Sequence, residues 1–257
     1  SREIHAHIGD GTLGVLRRLG RKILSCVSGA HPQIAIKAKG QPVSGEELNH
    51  WYASFPENEN AALVCEKAFA KLLDDRTREP NLQSVKIPTG NDPLTEDPRR
   101  GLRSLVEENQ AALEITAGLQ RYPRSRYSVD FGPGPGALLP HLQKLNFLAQ
   151  MWRFTALLAA DAGDDKRAAQ AISSQLQLAR TLKREPVIIS YLVRITINRI
   201  AVQTLRRTCM FVELSEQELT VLGGRFSEAE DLNHLADALI GERAIHAPVF
   251  RLSLKEM

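Results

Sequence analysis

The chain has 257 residues, a formal net charge of +3, 43% apolar residues and only 5% aromatic ones. That is enough apolar material for a sizeable core, in one large domain or two small ones. Cys26, Cys65 and Cys209 are odd in number and far apart, which excludes a disulfide framework and a CxxC zinc site.

Taken in order, the chain starts with its most basic stretch. Residues 1–40 carry seven basic residues against two acidic ones, and no acid lies between Arg17 and Lys39. Leu13, Leu16, Leu19, Ile23 and Leu24 recur at helical spacing, with Arg17, Arg18, Arg21 and Lys22 on other faces. Residues 11–27 thus read as a basic amphipathic helix, weakened by Gly14 and Gly20. Positions 17–39 suit contact with an anionic membrane surface. Pro32 stands at a helix start, for a short segment ending near Gly40. Residues 1–40 are read as a separate helical segment, followed by a single all-α domain over 41–257.

Ser44-Gly45-Glu46-Glu47 is a capping box and opens a short helix through Trp51. A firmer helix is expected from Asn58 to Leu73. Residues 74–93, polar and interrupted by Pro80, Pro88, Gly90 and Pro93, read as a flexible loop. Asp97-Pro98 then starts a helix to about Leu119. Residues 121–136 form a linker, within which Tyr127, Val129 and Phe131 alternate with polar residues as in an extended piece.

Three long helices follow, over Gly136–Ala162, Asp164–Leu182 and Pro186–Cys209. The third is rich in Val, Ile and Thr, but more than twenty residues without a breaker is too long for a usual strand. It is also a poor membrane span. Ten strong apolar residues between Val187 and Leu205 contribute roughly −3 to −6 kcal/mol, and Arg194 and Arg199 cost about 2.5 to 3.5 kcal/mol each. Ser215-x-x-Glu218 and Ser227-x-x-Glu230 predict two short final helices, ending near Leu222 and Ile240, with Gly241 as a C′ residue. The expected fold is all-α, about ten helices in antiparallel hairpins, with no significant sheet.

Trp152, Ala156, Ala159, the Gly163-Asp164 turn, Ala168 and Ile172 resemble a tetratricopeptide-type repeat over about 152–182. Gln175 departs from the pattern, standing where a small residue is expected, and Pro186 comes late. More broadly, GQPVSGEELNHWY, ENENAALVCEKAF, LLPHLQKL, ADAGDDKRAAQAI and KREPVIISYLVRI are similar to a group of uncharacterised bacterial helical proteins. That resemblance implies a helical fold, with a location either cytoplasmic or at the bacterial envelope through an N-terminal anchor ahead of the aligned region. It implies no activity.

The chemistry-bearing motifs are few. No HExxH, GxSxG or P-loop is present, and no metal, cofactor or catalytic residue is expected. His5-x-His7 lacks a third ligand nearby. His141, just after Pro140, reads as a surface or packing residue. The prolines of Gly132-Pro133-Gly134-Pro135-Gly136 remove amides that would cradle a phosphate. Arg121-Tyr122-Pro123-Arg124-Ser125-Arg126-Tyr127 mixes guanidiniums with rings, as single-strand binders do, but the alternation after it favours packing over nucleic acid. The informative feature is Ser190, Arg194 and Asn198, a polar stripe at i, i+4, i+8 on an apolar helix. A buried arginine needs a partner, and Asp130, Glu107, Glu108 and Glu242 are the candidates. The stripe is either a structural ion pair or a ligand-binding pocket between helices. The expected role is a non-enzymatic helical-repeat scaffold that binds a protein or peptide. The alternatives are a small-ligand-binding or enzymatic helical protein with a pocket around Arg194, and a membrane-tethered envelope component.

Overall fold

A computed structural model describes residues 32–73, 92–230 and 233–247. The chain divides between Val43 and Ser44, and each part is taken by itself. In the first, Pro32–Ala38 forms helix α1, with Gly40 at φ 67° just beyond it. The predicted helix over 11–27, most of the 17–39 stretch, His5 and His7, and nearly all of the 74–93 loop lie outside the described residues.

The second part is all-α. Its helices are α2 (Gly45–Trp51), α3 (Ala61–Phe69), α4 (Glu96–Glu108), α5 (Gln110–Thr116), α6 (Pro140–Asp161), α7 (Asp165–Thr181), α8 (Ile188–Thr208), α9 (Glu216–Ala229) and α10 (Leu235–His246). With α1 this makes ten α-helices among the described residues, and the only β pairing there is an isolated bridge between Asn60 and Arg124.

The centre is α6, α7 and α8, each packed on the other two. The α6–α7 turn follows from two residues. Gly163 adopts φ 74°, and the Gly163 and Asp164 amides donate to the Ala160 and Ala159 carbonyls, a Schellman ending. The Asp164 carboxylate then accepts from the Arg167 amide and caps α7. Gln175, large for its place in a repeat, fills the α6–α7 interface and donates from Nε2 to the Ala149 carbonyl at 2.9 Å.

The other helices pack around this block. α4 and α5 lie against α6, and α3 packs on α5 and α6. Trp152 Nε1 donates to Thr116 Oγ1 across the α6–α5 contact. Tyr127, Val129 and Phe131 are buried, as their alternation predicts, and form no strand.

Several boundaries differ from expectation. The helix expected through Leu119 breaks at Asn109, which is buried. Its Oδ1 accepts from the Leu73 amide and its Nδ2 donates to the Leu105 carbonyl, so one tertiary and one local bond hold the break. Ser227 opens no helix. It lies in the last turn of α9, whose start is the reciprocal Ser215–Glu218 box. Gly241 is not a C′ residue but sits inside α10. A Cβ there would stand 1.7 Å from the Pro186 carbonyl oxygen, so only glycine lets α10 approach the α7–α8 connection this closely. The neighbouring Glu242 accepts from the Ile188 amide at 3.2 Å, at the start of α8.

Candidate functional site

Ser190, Arg194 and Asn198 lie on one side of α8, yet the fold distributes them between two environments. Ser190 and Arg194 are buried, and Asn198 is partly buried.

Ser190 belongs to a polar cluster at the first turn of α8. Its Oγ donates to Glu185 Oε1 at 2.5 Å, and His141 Nε2 donates to the same carboxylate, 2.9 Å and 3.0 Å from its two oxygens. All three residues are buried. The His141 ring stacks on Tyr127 with centroids 4.2 Å apart. The Thr181 hydroxyl donates to the Leu178 carbonyl, so the Tyr127 hydroxyl at 2.8 Å donates to Thr181. Burial pushes the Tyr127 phenol well above its ordinary range, with the nearby Cys65 thiol as the next cause. Burial likewise pushes the Cys65 thiol up to about 12. The carboxylate stands between the serine and the imidazole. In a serine–histidine–carboxylate triad the imidazole holds that middle place, so this cluster has a different order. Glu185 accepts from both neighbours.

Arg194 and Asn198 face another neighbourhood. Arg194 is 3% exposed, and its Nη2 donates to the Ala229 carbonyl at 3.2 Å. Ala229 ends α9, where unpaired carbonyls and the negative end of the helix dipole favour a cation. The expected carboxylate partners are engaged elsewhere. Asp130 accepts from Asn49 and Gly132, Glu242 from Ile188, and Glu108 from Ser104. Glu107 is exposed. The Gly132 amide, and then the Asn49 carboxamide, hold the Asp130 carboxyl below its ordinary value. Arg194 thus meets a helix end, a kind of partner that reading the acids along the chain does not suggest.

Beside Arg194 and Asn198 is a small recess that continues past Gln177 into a cleft of about 370 Å³. The cleft lies between the last turn of α7, the 123–125 segment and α9. Among the described residues Arg180, Lys183, Arg184, Arg124 and Glu228 line it, and Glu59 stands 3.6 Å from Arg124. Arg180 is held by its Nη2 donating to the Tyr122 carbonyl at 2.5 Å, while its Nη1 is 4.0 Å from Glu228, at the edge of ion pairing. Burial lowers the Arg180 pKa; Glu228 opposes this and the Arg225 guanidinium adds to it. Phe55 forms part of the opposite wall, with the Arg124 guanidinium 5.1 Å from its ring centroid. Gln177 is 3% exposed and lines both hollows. Its Oε1 is buried without a hydrogen-bond partner, as are Ser125 Oγ and Asn198 Oδ1.

Within 121–127 the structure separates residues that the sequence groups together. Tyr127 is buried against His141 and offers no stacking face, whereas Arg124 and Ser125 line the cleft. His141 is a packing residue, as expected, but with a carboxylate partner 44 positions away that no spacing rule links to it. Gln177 and Arg180 were missed altogether. Their only signal is position, since Arg180, Lys183 and Arg184 crowd a helix C-terminus, where basic residues are ordinary.

Among the described residues, no group of three or more His, Cys, Asp or Glu side chains could hold a metal ion, and no helix is long and apolar enough to cross a membrane. Comparisons with protein-family models, curated proteins and solved structures give no match.

Proposed function

We propose that this chain is a non-enzymatic helical scaffold, built on tetratricopeptide-like hairpins, that holds a protein partner on the outer face of α8. The observation that carries this reading is that face. Ile189, Leu192, Ile195 and Val202 are 48%, 50%, 43% and 53% exposed and fall on one side of the helix. Single exposed apolar residues are ordinary; four on one side of one central helix form a patch that calls for a partner. Arg199 and Arg206 are exposed on the same side, and α8 contains no acid. Arginine among apolar residues is a typical interface composition. The charge favours one kind of occupant, an amphipathic helix whose apolar stripe is flanked by carboxylates.

The hairpin part of the reading is supported by the Gly163-Asp164 turn and by burial of Trp152, Ala156, Ala159, Ala168 and Ile172 between packed helices.

Fluorescence anisotropy with a labelled amphipathic peptide carrying a Leu/Ile stripe and flanking Glu residues tests the reading. Saturable binding is expected, weakened about 10-fold by Ile195→Glu and by Arg199→Glu, a loss of about 1.4 kcal/mol each. A Lys-flanked peptide should not bind. Binding untouched by both variants would sink the reading. So would binding to phosphatidylglycerol vesicles in place of the peptide, which would point to a membrane surface.

A further inference from the structure

Another hollow, of about 300 Å³, lies between α3 and the start of α6, and no described residue of α8 lines it. Glu66, Phe69 and Ala70 line it from α3 and its end, and Pro140, His141 and Lys144 from the first turns of α6. Two of these side chains carry opposite charges and come from different helices. Glu66 and Lys144 are both partly buried. They form no ion pair with each other, and neither has a hydrogen bond or an ion pair with any other group. The ring of Phe69 is what the Lys144 ammonium meets, 5.7 Å from the centroid. The two charges share a hollow without being neutralised across it.

The rest of the wall is mostly rings and small apolar groups, and it is held in place from behind. Phe69 and Tyr127 are buried, and both line the hollow. His141 is fixed on two sides, its ring stacked on Tyr127 and its Nε2 bonded to Glu185. The Glu185 carboxylate in turn accepts from Ser190, so this wall is tied to the first turn of α8. A wall fixed before a ligand arrives loses less freedom on binding. Small-molecule sites have this construction: a concave, largely apolar wall with a few polar groups that set orientation. Their volumes start at roughly 300 Å³, so the occupant of this one is small.

We propose that this hollow binds a small zwitterion with an apolar body, either a free amino acid with an apolar side chain or a short peptide of such residues. The ligand's ammonium pairs with Glu66, its carboxylate pairs with Lys144, and its side chain rests on Phe69, Ala70 and Pro140. A charge pair at a partly buried wall is screened less than one in open water. A simple anion would satisfy Lys144 and be repelled by Glu66, and a simple cation would meet the reverse. Only a molecule carrying both charges answers both walls at once. The inference does not rest on the α8 face, and neither depends on the other.

Isothermal titration calorimetry of the full chain with leucine, the dipeptide Leu-Leu, and the N-acetyl and C-terminal amide forms of each tests the site. Leucine or the dipeptide should bind saturably, and capping either end of that ligand should weaken binding about 10-fold. Tighter binding of leucine would assign the free amino acid, and tighter binding of Leu-Leu the peptide. Glu66→Gln should weaken the uncapped ligand about 10-fold and remove the penalty of the acetyl cap. Lys144→Gln should do the same for the amide cap. Both variants should keep the thermal midpoint of the parent, because neither side chain is hydrogen-bonded or ion-paired within the chain, so lost binding would not be lost fold. Absence of binding by both leucine and Leu-Leu, capped forms that bind as well as the uncapped ones, or binding that survives both variants would each overturn the proposal.

Discussion

Ser190 and Asn198 stand about two turns apart on one side of α8, and they meet opposite surroundings. At the Ser190 end serine and imidazole both donate to Glu185, and Tyr127 beside them donates to Thr181, while the Tyr52 hydroxyl nearby is buried without a hydrogen-bond partner. At the Asn198 end the side-chain oxygens of Asn198, Gln177 and Ser125 are buried without hydrogen-bond partners. Burial is deep in both places, so burial alone does not separate structure from site. The separating property is whether buried groups share an acceptor, as Ser190 and His141 share Glu185. A shared acceptor fixes helices relative to one another.

Glu185→Ala should produce the largest effect. It leaves His141 and Ser190 buried without their shared acceptor, and a loss of about 3–5 kcal/mol is expected in urea unfolding, with the m-value unchanged. A loss below about 1 kcal/mol would show that the shared acceptor does not fix this end. Arg194→Met lies at the boundary between the two ends. Losing its charge-assisted bond to the Ala229 carbonyl should cost about 1.5–3 kcal/mol, and a smaller cost would group Arg194 with the Asn198 end.

High pH probes the neighbourhood of the Ser190 end through Cys65. Its folded-state value of about 12 lies above its ordinary 9, so above pH 9 the unfolded chain loses the proton while the folded chain keeps it. Stability should therefore fall as pH rises from about 9 towards 12, and Cys65→Ala should flatten that fall. A slope unchanged in the variant would place the burial elsewhere. Cys209 is exposed, so mass-spectrometric footprinting should find it alkylated in the folded protein while Cys65 is protected. The smallest effect is expected at the Asn198 end. Gln177→Leu should change stability by no more than about 1 kcal/mol, in the stabilising direction, opposite in sign to Glu185→Ala.

The difference between the two ends also explains what could be read along the chain. Local devices were legible because their partners are three to five residues apart. The Ser44 hydroxyl accepts from the Glu47 amide, Ser215 and Glu218 cap each other, and Gly163-Asp164 turns α6 into α7. The all-α class follows from such devices and from apolar spacing. Ser227 carried the same box pattern and opened no helix, because α9 continues through it to Ala229. The stripe was legible as a stripe, but its meaning depends on partners far away in sequence: Glu185 for Ser190 is near, yet His141 is 44 positions from Glu185, and Arg194 meets a backbone carbonyl, which no residue type announces. Asn109 and Gly241 were misread for a related reason. One breaks a helix through a bond to Leu73, and the other is required by the Pro186 carbonyl.

The contact of α10 with the start of α8 sets an order of assembly. The Ile188 amide belongs to the first turn of α8 and has no acceptor within its own helix; it is met by Glu242, 54 positions later, beside the glycine that lets α10 lie on Pro186. During synthesis α6, α7 and α8 can pair as soon as Thr208 has emerged, but the first turn of α8 then still lacks this acceptor. The last of the described helices is the one that finishes the central helix, so a nascent chain halted after α9 lacks the group that meets the Ile188 amide.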